Sequence, residues 1–238
     1  MSLILNAFAN VSRILPKNVR ISLTRRLIDK FLDTYSEIEV INRDIIEKRK
    51  GIPTVYIGNH LSNVDGVILN RLLKNNDVAF MAGVKLSKNL VTNLVLDTVK
   101  TIHITPNSAD KKAIKEAIKY LKDGGSIFIF PEGTRSRAGS MIKAKKGFIL
   151  LAKMSKAQFV PIGLEGTEKL FPINNDNMSK ESFNHSKVKV TFGEPFSLPE
   201  KTEDNKGVWT DLATEYSMKK IAELLSPKYR GVYELEEK

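Results

Sequence analysis

Apolar residues follow two different spacings along most of the chain. From residue 51 onward, short apolar runs rich in β-branched and aromatic residues are separated by segments that place an apolar residue every three or four positions. The short runs predict strands, and the segments between them predict helices. The expected strands are residues 54–58, 78–82, 102–105, 127–130, 159–163 and 188–192, and the expected helices are residues 66–73, 88–99, 111–122, 146–154 and 212–225.

Alternation of strands and helices predicts an α/β fold, with a mixed, mostly parallel sheet covered by helices on both faces. The clearest helix is residues 111–122. Ser108 is its expected N-cap and Asp110 is expected in its first turn, while Gly124 and Gly125 end it.

The first 35 residues predict an N-terminal pair of amphipathic helices. Apolar residues recur at helical spacing on both sides of Pro16, which interrupts the pattern. The polar side carries six cations and only two acids, a combination typical of helices in a membrane interface. The alternative is a helical hairpin packed on its own domain. We therefore divide the chain into a membrane-contact segment, residues 1–35, and an α/β domain, residues 36–238.

Composition and charge restrict the class of protein. The chain has no cysteine, which excludes disulfides, thiolate metal sites and a catalytic thiol. Its net charge of +11 attracts phosphates, whether in nucleic acid, anionic lipid or phosphorylated small molecules. No apolar stretch reaches the ~18–20 residues of a membrane span, and the start lacks the pattern of a secretory signal. We expect a peripheral protein on the cytoplasmic face of a membrane.

Two candidate site motifs each follow a predicted strand. His60 comes directly after the strand of residues 54–58, and Asp65 five residues later is able to accept its Nδ1–H, as a carboxylate does for a general base. The alternative is that Asp65 is only a helix N-cap. After residues 127–130 stand Pro131, Glu132 and a run of Gly, Thr and Arg that suits a phosphate monoester. Alone, this second motif is also compatible with an ordinary turn.

Together these motifs resemble the glycerophospholipid acyltransferase family, in particular its 1-acylglycerol-3-phosphate acyltransferase branch. The resemblance covers about residues 50–195 and includes a Lys-Lys-Gly-Phe run at residues 145–148 and a Val-Pro-Ile-Gly block at residues 160–163. It implies that His60 is the base and Asp65 its partner. It also implies a substrate-binding set made of Glu132, Gly133, Thr134, Arg135 and Lys146.

The resemblance implies a reaction and its partners. A fatty acyl group would pass from a thioester donor, acyl-CoA or acyl carrier protein, to the hydroxyl of a lysophospholipid, most simply 1-acylglycerol-3-phosphate, in phospholipid biosynthesis. The enzyme would work at an anionic membrane surface and need no cofactor. The chain departs from the family where Pro106 stands in place of an expected Arg, which leaves the acceptor headgroup open.

Other classes of protein remain as alternatives. They are an acyltransferase for a different lipid acceptor, a catalytically silent membrane-binding scaffold, and a nucleic-acid-binding protein. The last lacks the interleaved basic and aromatic residues of recognition modules, so we expect no nucleic-acid partner. His103 and His185 stand alone in the sequence, and without a cluster of metal-ligand spacing we expect no metal.

Overall fold

The computed structural model describes residues 14–83, 90–105, 110–173 and 182–235. Within these ranges the strands are β1 (Ser36–Ile41), β2 (Thr54–Gly58), β3 (Val78–Gly83), β4 (Thr101–Ile104), β5 (Ser126–Ile129), β6 (Gln158–Glu165) and β7 (Ser186–Phe192). They form one seven-stranded sheet in the order β1-β7-β6-β2-β5-β3-β4. All neighbouring pairs are parallel except β6 and β7. The predicted fold class, a mixed and mostly parallel sheet, is confirmed.

Helices precede and connect the strands. They are α1 (Lys17–Tyr35), α2 (Asp44–Lys48), α3 (Asp65–Leu72), α4 (Leu90–Asp97), α5 (Lys111–Lys122), α6 (Ile149–Ser155), α7 (Thr167–Leu170), α8 (Trp209–Ala222) and α9 (Pro227–Arg230), with a 3₁₀ turn at Lys146–Phe148. Pro16 stands immediately before α1, so the second predicted helix begins after this proline, and the interruption between the two helices stays a prediction. Residues 1–13, which hold most of the first predicted helix, lie outside the described residues.

Both faces of the sheet are buried. Because successive side chains of a strand point to opposite faces, Val55 and Ile57 of β2 pack in one core cluster with residues of α5, α6 and α8, while Tyr56 packs in a second cluster with residues of α1, α2 and α3. All five residues of β2 are buried. β2 is therefore the central strand of the sheet, and the residues that directly follow it lie at the middle of the side where the parallel strands end.

The N-cap of α5 differs from the prediction. Its N-cap is Asp110, whose side chain accepts a hydrogen bond from the Ala113 N–H, and Asp110 is not in the first turn. The carboxylate reaches the free N–H groups of the helix from the capping position, which satisfies a donor that the helix itself leaves unpaired. Ser108, the cap expected from the sequence, lies outside the described residues.

Helix α1 packs on the α/β domain. Leu32 is buried in the core cluster that also contains residues of α2 and α3. Near the other end of α1, Arg20 forms an ion pair with Asp97 at 2.9 Å, and the Arg25 guanidinium donates to the Thr98 carbonyl at 2.9 Å. For residues 17–35 the structure therefore favours the alternative of packing on the protein's own domain. The membrane-contact role of residues 1–35 stays a prediction.

Candidate active site

The two motifs found in the sequence lie side by side. β2 and β5 are parallel neighbours, with Ile57 opposite Ile129. Because parallel strands end at the same sheet edge, the segments that follow them meet there. The Ser136 N–H donates to the His60 carbonyl at 2.7 Å, which ties the two segments together.

His60 and Asp65 form a hydrogen-bonded pair. His60 Nδ1 lies 2.8 Å from Asp65 Oδ2, and the Asp65 side chain is fully buried. The same oxygen accepts the backbone N–H groups of Leu61 and Ser62 at 2.7 and 2.8 Å. The N-cap position of α3 is Val64, and Asp65 is the first residue of the helix. The alternative of a simple N-cap is wrong, since the carboxylate bonds backwards to the loop that carries the histidine.

The imidazole ring of His60 is held between a carboxylate and an aromatic ring. It stacks on Phe130 with ring centroids 3.8 Å apart and an angle of 7° between the planes. Phe130 in turn meets Phe128 edge to face at 4.6 Å. A carboxylate at Nδ1 favours the tautomer that carries its proton there and leaves Nε2 as the acceptor. The histidine side chain keeps 18% exposure, so the arrangement suits transfer of a proton from a ligand to Nε2.

Glu132 lies beneath the loop, with 1% of its surface exposed. One carboxyl oxygen accepts the His60 N–H at 2.9 Å, and the other accepts the Ile142 N–H at 3.2 Å. Burial raises the pKa of Glu132 to about 8, against the two N–H groups, which lower it. Each carboxyl oxygen of Glu132 thus bonds to the protein backbone, and a substrate contact for it stays a prediction.

Gly133, Thr134 and Arg135 form the outer part of this loop. Gly133 and Thr134 are exposed, and Arg135 is half-buried. Gly133 has φ +69°, a left-handed conformation that favours glycine, and its N–H donates to the Phe130 carbonyl at 3.0 Å. The turn thus exposes Gly133 and Thr134 in the segment that Ser136 ties to His60, which suits an anionic ligand.

Lys146 lies at the start of the 3₁₀ turn, exposed and ion-paired with Asp211 of α8. Its neighbour Lys145 is nearer to the loop: its backbone N–H donates to the Pro131 carbonyl at 2.8 Å, and its side chain passes beside Gly133. The substrate role of Lys146 stays a prediction. Two adjacent lysines in one run give the same sequence signal, so the pattern alone does not choose between them.

Two buried polar residues of the same loop were not assigned a role from the sequence. The Asn59 side chain donates to the Leu164 carbonyl and accepts the Leu164 N–H, at 2.9 and 2.8 Å, which fixes the end of β2 to β6. The Ser62 hydroxyl donates to the Phe171 carbonyl at 2.6 Å. Their position beside His60 in the sequence could have marked them as site residues. Their partners could not be predicted, because they lie more than 100 residues away in sequence.

Other expectations concern parts of the molecule away from this loop. Pro106 lies outside the described residues. Within the ranges that the structure covers, no three His, Asp or Glu side chains come together as a metal site would require. In the same ranges no helix is long and apolar enough to span a bilayer.

Comparison with known proteins identifies the class of protein. The acyltransferase family model matches residues 37–165, more than half of the chain, and these residues include both motifs. The chain belongs to the acyltransferase family. The resemblance inferred from the two motifs is confirmed.

Individual relatives carry a more specific description. The chain is 30% identical over 143 residues to a chloroplast 1-acyl-sn-glycerol-3-phosphate acyltransferase of Arabidopsis thaliana, a match that covers 60% of this chain and 39% of the relative. It is 27% identical over 158 residues to the 1-acyl-sn-glycerol-3-phosphate acyltransferase of Bacillus subtilis, covering 66% and 73%. The chain spans less than half the length of the Arabidopsis relative and of the 1-acyl-sn-glycerol-3-phosphate acyltransferases of Brassica napus and Cocos nucifera that it also matches.

A solved structure has the same fold. The crystal structure of the 1-acyl-sn-glycerophosphate acyltransferase from Thermotoga maritima superposes with a TM-score of 0.61 and covers 92% of this chain and 88% of its own. The two sequences are 23% identical. This similarity extends the shared fold well beyond the residues that the family model matches.

Proposed function

We propose that this protein is an O-acyltransferase that moves a fatty acyl group from a thioester donor to the hydroxyl of a lysophospholipid, most simply 1-acylglycerol-3-phosphate. The observation that carries the proposal is the hydrogen bond of 2.8 Å between His60 Nδ1 and Asp65 Oδ2. The Ser136 N–H, which follows the loop of residues 132–135, donates to the His60 carbonyl and holds this loop beside the pair. A base with its orienting carboxylate thus stands beside an anion-binding turn.

The reaction follows from the position of the histidine. His60 Nε2 takes the proton of the acceptor hydroxyl as its oxygen attacks the thioester carbonyl carbon. Asp65 stabilises the imidazolium that forms. The tetrahedral intermediate then breaks its carbon–sulfur bond, and the imidazolium returns the proton to the departing thiolate. No acyl-enzyme is needed, which agrees with a chain that has no cysteine.

The outer loop binds the acceptor phosphate in this proposal. Arg135 supplies a guanidinium, whose paired N–H groups match two phosphate oxygens. Thr134 adds a hydroxyl, and the backbone around Gly133 adds N–H donors. Lys146 and Lys145 extend the positive field along the following segment. Glu132 accepts the His60 N–H and so holds the backbone of the base in place.

The donor meets the basic run downstream of the loop. Residues 135–156 carry seven basic residues and no acid. This charge suits the phosphates of acyl-CoA and equally an acidic acyl carrier protein. In this proposal the enzyme works as a peripheral protein at an anionic membrane, on its cytoplasmic face, and residues 1–35 contact the lipid although one side of α1 packs on the domain.

Transfer assays with matched substrates test the proposal. Labelled acyl-CoA and acyl carrier protein are each offered with 1-acylglycerol-3-phosphate, glycerol 3-phosphate and a neutral lysolipid. We expect the monoacylated phosphate to be preferred with at least one donor. Preference for the neutral lysolipid would support the second candidate, a different acceptor, which the replacement by Pro106 favours. Absence of transfer to every acceptor would contradict an acyltransferase role.

A further inference from the structure

We propose that Tyr233 is a positioning residue for the catalytic base, and that it acts through a segment called here the strap, residues 139–145. The inference rests on the proposed function of His60. It concerns a part of the chain, residues 226–233, that lies beyond the residues 37–165 matched by the family model. These residues, which include α9, are called here the C-terminal turn.

The strap has no helix or strand of its own and is held from two sides. On the side of the site, the Ile142 N–H donates to a Glu132 carboxyl oxygen and the Lys145 N–H donates to the Pro131 carbonyl. On the other side, the N–H groups of Met141 and Ala144 bond to the C-terminal turn. The strap therefore stands directly between that turn and the loop of Glu132.

Three hydrogen bonds join the C-terminal turn to the strap. The Met141 N–H donates to the Tyr229 carbonyl at 2.9 Å, and the Val232 N–H donates to the Met141 carbonyl at 3.2 Å. The Ala144 N–H donates to the Tyr233 hydroxyl at 2.9 Å. This last bond is the one made by a side chain, so it is the one that a substitution removes cleanly.

Packing at this junction is tight. Met141, Ala144, Tyr229 and Tyr233 are all buried and belong to the same core cluster. Gly231 has φ +55°, and a Cβ placed on it would clash with the Met141 carbonyl oxygen. The backbone of the C-terminal turn thus lies directly against the strap, with no space for a side chain at this position.

The connection continues to the catalytic base. Glu132 uses one oxygen for the Ile142 N–H of the strap and the other for the His60 N–H. A strap that moves takes its donor away from Glu132, and the buried carboxyl then holds the His60 backbone less firmly. Because catalysis requires the base within about 0.5 Å of its productive position, small displacements are expected to lower turnover.

The test compares two buried tyrosines of the same turn. In Tyr233→Phe the hydroxyl bond to the strap is lost. In Tyr229→Phe a hydroxyl bond of 2.9 Å is also lost, but that bond goes to Glu168 and the backbone carbonyl of Tyr229 stays in place. Both residues are 4% exposed, and a melting curve of each variant measures the stability that it loses. Only Tyr233→Phe removes a contact with the strap.

At a temperature where both variants are fully folded, we expect kcat of Tyr233→Phe to fall about three- to tenfold, the range of one hydrogen bond, with KM for the donor changed less than about twofold. Tyr229→Phe should keep kcat near that of the unmodified protein. In a Glu132→Gln background, the further effect of Tyr233→Phe on kcat should largely disappear, since both changes act on the same connection. Equal losses of kcat in the two tyrosine variants, or fully additive effects with Glu132→Gln, would overturn the proposal.

Hydrogen exchange followed by mass spectrometry gives a readout that does not depend on acyl transfer. Tyr233→Phe should speed exchange in residues 131–145 and 59–65, and Tyr229→Phe should not. A protein without transferase activity that shows this difference would contradict the proposed function and leave the connection in place. Unchanged exchange in both segments would refute the connection itself.

Discussion

Asp65 concentrates three donors on one carboxylate oxygen, and this is the feature that separates it from a helix cap. The donors are His60 Nδ1 and the N–H groups of Leu61 and Ser62. An asparagine keeps the shape but offers a neutral acceptor and no charge to stabilise the imidazolium. We expect Asp65→Asn to lower kcat by about 10²-fold or more. A mild loss in a folded variant, checked by circular dichroism and melting, would show that Asp65 only shapes the loop.

Arg135 is expected to act on the acceptor and not on the donor. Arg135→Ala should raise KM for the phosphorylated acceptor about tenfold or more, since a charge-assisted contact is lost, with little change in KM for the acyl donor. Arg135→Lys should restore only part of the affinity because lysine has no planar pair of donors. Steady-state kinetics with each substrate varied in turn measures this, and a loss confined to the donor would place Arg135 on the other side of the site.

Glu132 makes the stability of the protein depend on pH. Its pKa is about 8 in the folded protein, above the ordinary value of 4.5, so the folded state holds a proton that the unfolded state has released between these values. Its contribution to stability is therefore full below pH 4.5 and is lost as pH rises towards 8. Glu132→Gln should remove up to about 1.4 kcal/mol per pH unit of this slope. Urea unfolding from pH 5 to 8 measures the slope, and identical slopes in both proteins would contradict this account of Glu132.

At the scale of elements, periodicity identified the central strands and the longer helices. β2 and α5 have the bounds expected from the sequence. β1 was not found because its residues, Ser-Glu-Ile-Glu-Val-Ile, are half polar and follow directly on a helix. Helices α2, α7 and α9 have four or five residues, which is too short for a 3.6-residue period to show.

The same limit applies to the site. His60 and Asp65 are five residues apart, so their pairing follows from local chain geometry and was predicted from the sequence. The contact of Glu132 with the His60 N–H spans 72 residues. It depends on β2 and β5 being neighbours, which periodicity alone does not determine. The resemblance assigns Glu132 to substrate binding, which stays a prediction, and the contact of its carboxyl group with the His60 backbone was not foreseen from the sequence.

The N-cap of α5 gives a test at this scale. Asp110 accepts N–H groups from both Ala113 and Thr105, at 3.0 and 2.9 Å. Asp110→Ala should lower the free energy of unfolding by about 1 kcal/mol, while Asp110→Asn, also a good cap, should lose much less. Chemical denaturation measures both. Equal stability of the alanine variant and the unmodified protein would show that the cap adds nothing.

At the scale of the whole molecule, the docking of α1 changes how the membrane role has to be tested. Removing all of residues 1–35 would expose core residues that Leu32 covers. A variant that lacks residues 1–15 keeps α1 and removes the apolar pattern before Pro16. We expect it to float less with anionic liposomes and to acylate membrane-embedded acceptors more slowly, yet to retain activity on a soluble short-chain acceptor. Flotation equal to that of the full chain would assign membrane contact to another part of the protein.

The most direct test of the central claim, that His60 is the base of an acyltransferase, is transfer of a labelled acyl group by His60→Ala. His103→Ala is the control, because His103 is an exposed histidine of β4 on the same sheet. With both variants folded, we expect His60→Ala to lose about 10²- to 10⁴-fold in kcat and His103→Ala to keep the activity of the unmodified protein. Near-native turnover by His60→Ala would contradict the mechanism.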